Sequence, residues 1–358
     1  MVKRGQVEIQ FNWVFVLIVG AIILAFFIAI VMKGKDLSAK STGAKLSFDI
    51  ETITTGASVS KGTAQIINIP NLGLEFTSTD DCLREYSIGG ATRQYRDKVI
   101  FAPTRIEGTQ LLAWTIDWSL PYRITNFLFY SSPYMRYIIV AKQLNVPEWN
   151  QAKKINQSLP EEMYKELVDI DSIGSIADNK NYKVRLVFFN TAVSLPPNLM
   201  NMKTKDLTAL LVTSISGNDE EYDITFYKVQ GTTFQSEYPI TKAIGRASLY
   251  GAIFAEDYYM YKCNMQDAFK KMDFITRIIN NRTSELYGIP NSNCQIKYNQ
   301  AIDISSGVLT KMLDDAQTLS TDLNTAGKVS DIYTQAYGSS GLQNINNGLQ
   351  IASCPRIY

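Results

Sequence analysis

The stretch LLAWTIDWSL, residues 111–120, alternates strictly between two sets of side chains. Successive side chains of a β-strand point to opposite faces, so each set lies together on one face. A stripe of tryptophans can bind carbohydrate, but at this period it more commonly forms the core face of a sheet. We therefore predict a central β-strand whose core face carries Leu112, Trp114, Ile116, Trp118 and Leu120.

Further strands are predicted on both sides of this stretch, in a β-rich part that covers residues 63–143. AQIINIPNLGLEF (residues 64–76) and CLREYSIGGATRQY (residues 82–95) have the composition of strands separated by turns. The pair Gly89-Gly90 divides the second stretch, and two glycines suit the tight turn of a β-hairpin. The sequence therefore predicts a hairpin within residues 82–95.

A mixed α/β part is predicted for residues 144–261. Strands are indicated by YKVRLVFFN and YDITFYKVQ, and by MRYIIVAK (residues 135–142) directly before this part. LPEEMYKELVDI (residues 159–170) begins like a capped short helix. LTALLVTSI fits either a buried strand or a helix. Strand–helix–strand order favours an α/β layer that can hold parallel strands. Neither G-x-G-x-x-G nor G-x-x-x-x-G-K-[ST] follows these strands, which argues against a nucleotide site.

Helices are predicted for the C-terminal part, residues 262–358. Met265, Phe269, Met272 and Ile279 fall in one apolar stripe at helical spacing, and Met312 and Leu319 fall in another. We interpret these stripes as a helical hairpin followed by a return segment. The whole chain is thus expected to have a mixed α+β and α/β fold, with an N-terminal transmembrane helix and stalk, the β-rich part, the α/β layer and the C-terminal helical hairpin.

The four cysteines allow three disulfide pairings. A helix over residues 262–287 would be about 37 Å long, with Cys263 at one end and Cys294 beyond the other. A bridge needs Cα atoms about 4.4–6.8 Å apart, which disfavours a bond between these two residues. We favour Cys294 with Cys354 and Cys82 with Cys263, and such bridges suit an oxidising exterior. Four buried thiols in a reducing compartment are the alternative.

The N-terminus contains an apolar run after a short tail, residues 1–8. Residues 9–32 are 24 consecutive residues without formal charge, and apolar side chains occupy all helical faces. At 1.5 Å per residue they span about 36 Å, enough to cross a hydrocarbon core of about 30 Å. We predict a transmembrane helix over 9–32 and a stalk over 33–62, in which Leu46, Ile50 and Ile53 recur at helical spacing.

Lys3-Arg4-Gly5-Gln6, directly before the apolar run, resembles the processing site of archaeal type IV pilin-like proteins. The resemblance covers residues 3–32 and implies cleavage between Gly5 and Gln6, with an extracytoplasmic body. Positive charges flank the run almost evenly, so orientation depends on this resemblance. The alternative is a plain anchor whose Lys3 and Arg4 only set its topology.

The fifth position after this cleavage site often carries an acidic residue in such pilins, whereas it is Gln10 here and Glu8 is third. This departure puts polymerisation into a filament in doubt. The stretches FNWVFVLIVGAIIL, YGAIFAEDYYMYKCNM and SCPRIY also resemble single-span surface proteins of small-genome archaea. That second resemblance implies no activity.

The composition excludes several chemistries. The chain has no histidine, which removes imidazole bases and ligands. Ser58-x-x-Lys61 has the spacing of Ser/Lys acyl enzymes, but these need a buried lysine and the pair follows a polar stalk. The run Asp219–Glu221 is interpreted as a solvated turn, with calcium binding as the alternative. We predict no catalytic residue, no metal site and no cofactor.

Two functions from different classes remain. We expect a single-pass, membrane-anchored extracytoplasmic structural or interaction protein, with surface, adhesive or pilin-like roles. Its expected partners are the lipid bilayer and copies of itself or other surface proteins, and the net charge of +1 predicts no nucleic acid. The sequons at Asn156 and Asn281 are candidate glycosylation sites. The alternative is a membrane-tethered enzyme or ligand-binding module, which would show a deep cleft at the carboxyl ends of the central α/β strands.

Overall fold

The computed structural model describes residues 17–29, 32, 41–48, 50–52, 55–56, 62, 64–71, 73–177, 183–214, 220–236, 238–325 and 327–358. Its strands are β1 Ala64–Asn68, β2 Leu74–Ser78, β3 Arg84–Ile88, β4 Ala91–Gln94, β5 Val99–Phe101, β6 Arg105–Ile106, β7 Gln110–Ser119, β8 Arg123–Ser131, β9 Arg136–Ala141, β10 Tyr164–Asp169, β11 Val184–Phe189, β12 Leu207–Ser214, β13 Glu221–Gln230, β14 Thr233–Ser236 and β15 Thr241–Ile244. The helices of the body are α1 Val146–Ser158, α2 Gly245–Phe254, α3 Tyr258–Tyr287, α4 Ser292–Ile302, α5 Val308–Leu319, α6 Lys328–Tyr337 and α7 Leu342–Ile351. A mixed α+β fold is therefore present.

The first sheet has strand order β1-β7-β8-β5 and contains the LLAWTIDWSL stretch as β7. Trp114 packs between Phe129 of β8 and Tyr250 of α2, with ring centroids 5.0 and 5.1 Å away. Trp118 packs against Phe127 and donates its indole N–H to the Ile244 carbonyl at 3.0 Å. Both tryptophans are buried, so the prediction that this stripe is a core face is confirmed.

The second sheet has strand order β4-β3-β2-β6 and is antiparallel throughout. β3 and β4 form the predicted hairpin, with Ile88 opposite Ala91. Gly89 and Gly90 at its turn have φ angles of 56° and 81°, a region that glycine enters without steric cost. The hairpin prediction is confirmed.

The third sheet has the order β10-β9-β11-β12-β13-β14, and β15 pairs with β13. β10, β9, β11 and β12 are parallel, as expected for an α/β layer, but the helix that connects β9 to β10 is α1 and not the predicted one. LTALLVTSI forms the strand β12. α1 packs against one face. The other face is covered by Val193 and Leu195, and by Ile173 and Leu199 from the short 3-10 helices Ile170–Ser175 and Pro197–Leu199. This sheet is therefore an α/β layer on one side only.

The predicted helix over LPEEMYKELVDI is wrong, because residues 164–169 form the edge strand β10 beside β9. Arg136 of β9 donates to both carboxylate oxygens of Glu166, at 2.6 and 2.9 Å. These hydrogen bonds lower the pKa of Glu166 below its ordinary value. Helix propensity is a weak preference, and pairing with a neighbouring strand overrides it here.

The C-terminal part contains the helices α3 to α7, more elements than the predicted hairpin with a return segment. α3 begins at the N-cap Asp257, whose carboxylate accepts from the Met260 N–H at 2.8 Å. The predicted stripe of Met265, Phe269 and Met272 is buried on α3. One core cluster includes side chains from the β-rich, α/β and helical parts, so these parts share a single core.

Two disulfides are present, Cys82–Cys263 and Cys294–Cys354, with Cα atoms 5.2 and 5.8 Å apart. This is the pairing that the helix-length argument favours. The first bridge ties the start of β3 to the first turns of α3. The second ties α4 to the C-terminal segment, so both bridges hold the helical part in place.

Residues 17–29 are helical, and nearly all their side chains are exposed. The predicted transmembrane helix over 9–32 extends beyond them, and its residues 9–16 and 30–31 lie outside the described residues. Among the helices that could be assessed in the described ranges, none combines the length and apolarity that crossing a membrane requires. Residues 41–48, 50–52 and 55–56 of the predicted stalk are helical as well.

Candidate functional site at the stalk–body junction

The stalk segment, defined here as helical residues 41–48 and 50–52, docks on the second sheet. Leu46, Ser47 and Ile50 are buried, at the three- and four-residue spacing of one helical face. A Cβ atom at Gly43 would collide with the Ile88 carbonyl, so the helix approaches the hairpin more closely than a larger residue permits. The stalk segment is thus packed against the body through a small-residue contact.

Polar contacts complete this docking. The Tyr86 hydroxyl donates to the Ser47 carbonyl at 3.0 Å, and Arg93 pairs with Glu51 at 2.8 Å. The Lys98 ammonium donates to the Thr55 hydroxyl at 2.8 Å and to the Glu51 carbonyl at 3.3 Å. Partial burial lowers the pKa of Lys98, and the Glu51 charge opposes that shift. The end of the stalk is therefore held by charged side chains.

Arg84 fixes the loop between β4 and β5, which carries Lys98. It is only 5% exposed and donates to the Arg96 and Lys98 carbonyls at 3.1 and 3.3 Å. Its other side-chain hydrogen bonds go to α3, to the Asn264 side-chain oxygen at 2.9 Å and to the Asp267 carboxylate. One buried guanidinium thus connects the loop between β4 and β5 to α3, using the several donors of its planar fork.

A cavity of about 260 Å³ lies beneath the end of the stalk segment, and we call it the junction cavity. Its aromatic lining consists of Phe76, Tyr86, Tyr95 and Tyr130. The ring centroids of the three tyrosines lie 5.8–6.2 Å from that of Phe76. Burial raises the pKa of Tyr95 to about 12, against the opposing charge of Arg84. The remaining lining residues are Ile50, Glu51, Arg93, Gln94, Arg96, Asp97, Lys98 and Ile100.

A wider groove of about 820 Å³ lies on the other side of the same loop, beside the Cys82–Cys263 bridge. Arg96 and Asp97 line both spaces. The far wall of the groove is α3, from which Lys270, Lys271 and the exposed Phe274 project. Cations and carboxylates are nearly balanced here, so the groove lacks the single charge sign that would indicate a particular partner.

A second charged cluster is fully enclosed, between the second and third sheets. Lys183 and Glu256 form an ion pair that is 2% and 5% exposed, and Glu256 also accepts from the Thr104 N–H at 2.7 Å. Arg185 donates to the Ala252 and Ala255 carbonyls at the end of α2. Burial lowers the pKa of Lys183, and Glu256 opposes this. These contacts suit a structural link, since the cluster is enclosed by protein.

The predicted processing residues Gly5 and Gln6 lie outside the described residues, as do Ser58, Lys61 and Asp219. Asn281 is exposed on α3, whereas Asn156 is half-buried on α1, so neither sequon lies in a loop. In the described part of the chain, no three acidic or cysteine side chains are grouped to hold a metal ion.

The carboxyl ends of β9 and β11 are where an α/β enzyme would place its cleft. Four of the cavities lined by described residues contain no residue of the segments 142–145 or 190–196 that follow these strands. Val193 and Leu195 pack onto the sheet instead. The alternative of an α/β active site therefore gains no support from these cavities.

Sequence reasoning missed Arg84, Lys98 and the junction cavity. One signal was available: in β3, Arg84 alternates with Tyr86 and Ile88 on the core face. An arginine on an apolar strand face must be paired when buried, because an isolated charge is costly there. Its partners on α3 are about 180 residues away, so the sequence alone could not identify them.

No family model, curated protein or solved structure matches the chain.

Proposed function

We propose that this protein is a membrane-anchored, extracytoplasmic structural or interaction protein, held by one N-terminal helix and acting through its body. The observation that carries this proposal is the exposure of the helix over residues 17–29. More than half of the surface of each of these side chains is exposed: Leu17, Ile18, Ile22, Leu24, Phe26, Phe27 and Ile28. A helix that is apolar on every face needs a surrounding apolar medium, because water disfavours such a surface.

The apolar sequence continues on both sides of this helix, over a length that would suffice to cross a bilayer. Residues 9–32 carry no formal charge, and about 20 apolar residues suffice to cross the hydrocarbon core. The stalk segment follows and is packed on the body, so the anchor and the body are connected through a docked helix.

Two disulfides and the Lys3–Gln6 motif support an extracytoplasmic body. Disulfides persist mainly in oxidising compartments, and all four cysteines are paired here. The motif resembles a pilin-like processing site, which implies a mature N-terminus at Gln6. Copies of the chain or other surface proteins are the partners that this placement suggests.

Membrane attachment can be tested by charge insertion. We expect the full-length parent protein to stay in the membrane fraction during carbonate extraction, and the double variant Ile22→Lys with Ile23→Lys to be released from it. Each lysine at the centre of the helix costs about 3 kcal/mol of insertion free energy. The matched control is Ile304→Lys with Ile351→Lys, because those isoleucines are 92% and 87% exposed on the body. Equal membrane retention of both variants would refute the anchor.

Processing and orientation need a separate measurement. The protein should be produced together with an archaeal prepilin peptidase and its N-terminus read by mass spectrometry. A terminus at Gln6 is expected, together with two intact disulfides and a body that added protease digests only from the outer side. A terminus at Met1 or Val2 would exclude pilin-type processing, and four free thiols would argue against an outer location.

A further inference from the structure

The junction cavity has a floor suited to a flat apolar group. Phe76, Tyr86, Tyr95 and Tyr130 are buried, and Ile50 and Ile100 close the remaining apolar surface. A cavity of 260 Å³ exceeds the roughly 150 Å³ that holds a benzene molecule in an engineered protein core. The Tyr86 and Tyr95 hydroxyls are already engaged, with the Ser47 carbonyl and the Met260 sulfur. The floor therefore offers mainly ring faces and aliphatic carbon.

The rim of the same cavity is cationic. Arg93, Arg96 and Lys98 line it, against the carboxylates of Glu51 and Asp97. Arg93 uses one terminal nitrogen for Glu51, and Arg96 uses one for the Gln94 side chain at 2.8 Å. A guanidinium has five N–H donors, so both arginines keep donors for a carboxylate or sulfonate. The aromatic floor and the cationic rim together suit the binding of an aromatic anion.

The stalk segment forms one wall of this space. Ile50 contributes apolar surface, and Glu51 is the residue that Arg93 and Lys98 hold. A ligand seated in the cavity would contact both the stalk and the second sheet. Binding would then stabilise the docked stalk segment relative to a detached one. The size of this stabilisation depends on how much more tightly the docked state binds the ligand.

We propose that the junction cavity is a binding site for a small aromatic anion, one or two rings bearing a carboxylate or sulfonate, whose rings lie on the Phe76 cluster and whose charge meets Arg93 and Arg96. The site depends on a docked stalk segment. The inference does not require that the chain be membrane-anchored, and it goes beyond the proposed surface role.

The direct test is titration of the full-length protein, in nanodiscs, with 2-naphthoate by isothermal calorimetry. A ligand of about thirteen non-hydrogen atoms is expected to bind with a dissociation constant on the order of 1 mM or tighter. The neutral analogue 2-naphthamide should bind at least about 5-fold more weakly, since it loses the charge-assisted hydrogen bonds. Absence of saturable 2-naphthoate binding up to about 10 mM would overturn the proposal.

Two variants locate the site. Arg93→Gln with Arg96→Gln should weaken 2-naphthoate binding about 10-fold, because the charges that meet the carboxylate are removed. Arg277→Gln is the matched control on α3, away from the cavity, and should leave binding unchanged. The double variant and the control are measured in the same lipid, so partitioning of 2-naphthoate into lipid cancels in the comparison. Equal affinity in the double variant and the control would also overturn the proposal.

Dependence on the stalk is tested with Gly43→Val, which collides with the Ile88 carbonyl and should displace the stalk segment without entering the cavity. We expect at least about 5-fold weaker binding, and 2-naphthoate should slow hydrogen exchange of the stalk segment only in the parent protein. Unchanged affinity in this variant would refute the role of the stalk as a wall.

Discussion

The molecule has two junctions built from opposite charges, and they differ in access to water. At the stalk–body junction, Arg93 and Glu51 are 41% and 53% exposed. At the enclosed junction between the second and third sheets, Lys183 and Glu256 are 2% and 5% exposed. An exposed pair typically contributes 0.2–1 kcal/mol, whereas removing one partner of a buried pair costs roughly 3–5 kcal/mol. The comparison teaches that the first junction can open while the second must stay closed.

The enclosed junction should show the largest effect. We expect Glu256→Ala to lower the free energy of unfolding by about 3–5 kcal/mol, because Lys183 would remain buried without its carboxylate. The matched control is Glu51→Ala at the exposed junction, with an expected loss below about 1 kcal/mol. Urea denaturation of both variants gives the comparison. Similar losses would show that the two junctions do not differ in this way.

An intermediate effect is expected at alkaline pH. The raised pKa of Tyr95, about 12 against an ordinary 10, means that the unfolded chain releases this proton first. The contribution of the protonated Tyr95 hydroxyl to the free energy of unfolding is fully present below pH 10, and it is lost as the pH rises through 12. Tyr95 should therefore account for about 1 kcal/mol of lost stability between pH 9 and pH 11.

Tyr95→Phe is the variant that isolates this contribution. It keeps the ring in the junction cavity and should fall less steeply in stability over the same pH interval. Lys183 changes the stability in the opposite direction, because its pKa is lowered in the folded protein. Its contribution to the free energy of unfolding is lost as the pH falls through that folded-state pKa. An unchanged alkaline slope in Tyr95→Phe would contradict the assignment to Tyr95.

The smallest effect should be local. Lys98→Ala removes the contacts to Thr55 and to the Glu51 carbonyl, and we expect faster amide exchange in the stalk segment by about 5-fold or less. Exchange in β9, within the enclosed layer, should not change. If β9 amides accelerated equally, the stalk segment would unfold only together with the body.

The sequence predicted the parts of the fold that depend on local periodicity. The alternation in residues 111–120 and the Gly89-Gly90 turn have counterparts in the structure. The α/β layer with parallel strands is present as well, but its predicted helix at residues 159–170 is replaced by the strand β10. The disulfide pairing was partly accessible, because the length of a helix disfavours a bond between Cys263 and Cys294. The expected return of the last segment toward Cys294 then favoured the pairing with Cys354. These inferences need only neighbouring residues or one rigid element.

The remaining features depend on distant residues. A helix is predicted for LPEEMYKELVDI because Glu, Lys and Leu favour helices. Residues 164–169 form a strand instead, because they pair with β9. The junction cavity combines Ile50, Phe76 and Tyr130, which no local pattern connects. Arg84 on the core face of β3 did signal a buried partner, but the partner on α3 had to be seen in the fold.

The two disulfides also define a mechanical path. A pull between the stalk segment and Tyr358 reaches Cys82, crosses to Cys263, follows α3 to Cys294 and crosses again to Cys354. The bypassed stretches have sequence separations of 181 and 60 residues. At roughly 3.4 Å per residue, the two bypassed stretches together correspond to about 800 Å of extended chain, and they cannot extend while both disulfides are intact. Under tension the body would behave as a nearly inextensible coupling, and only chemical reduction would release that stored length.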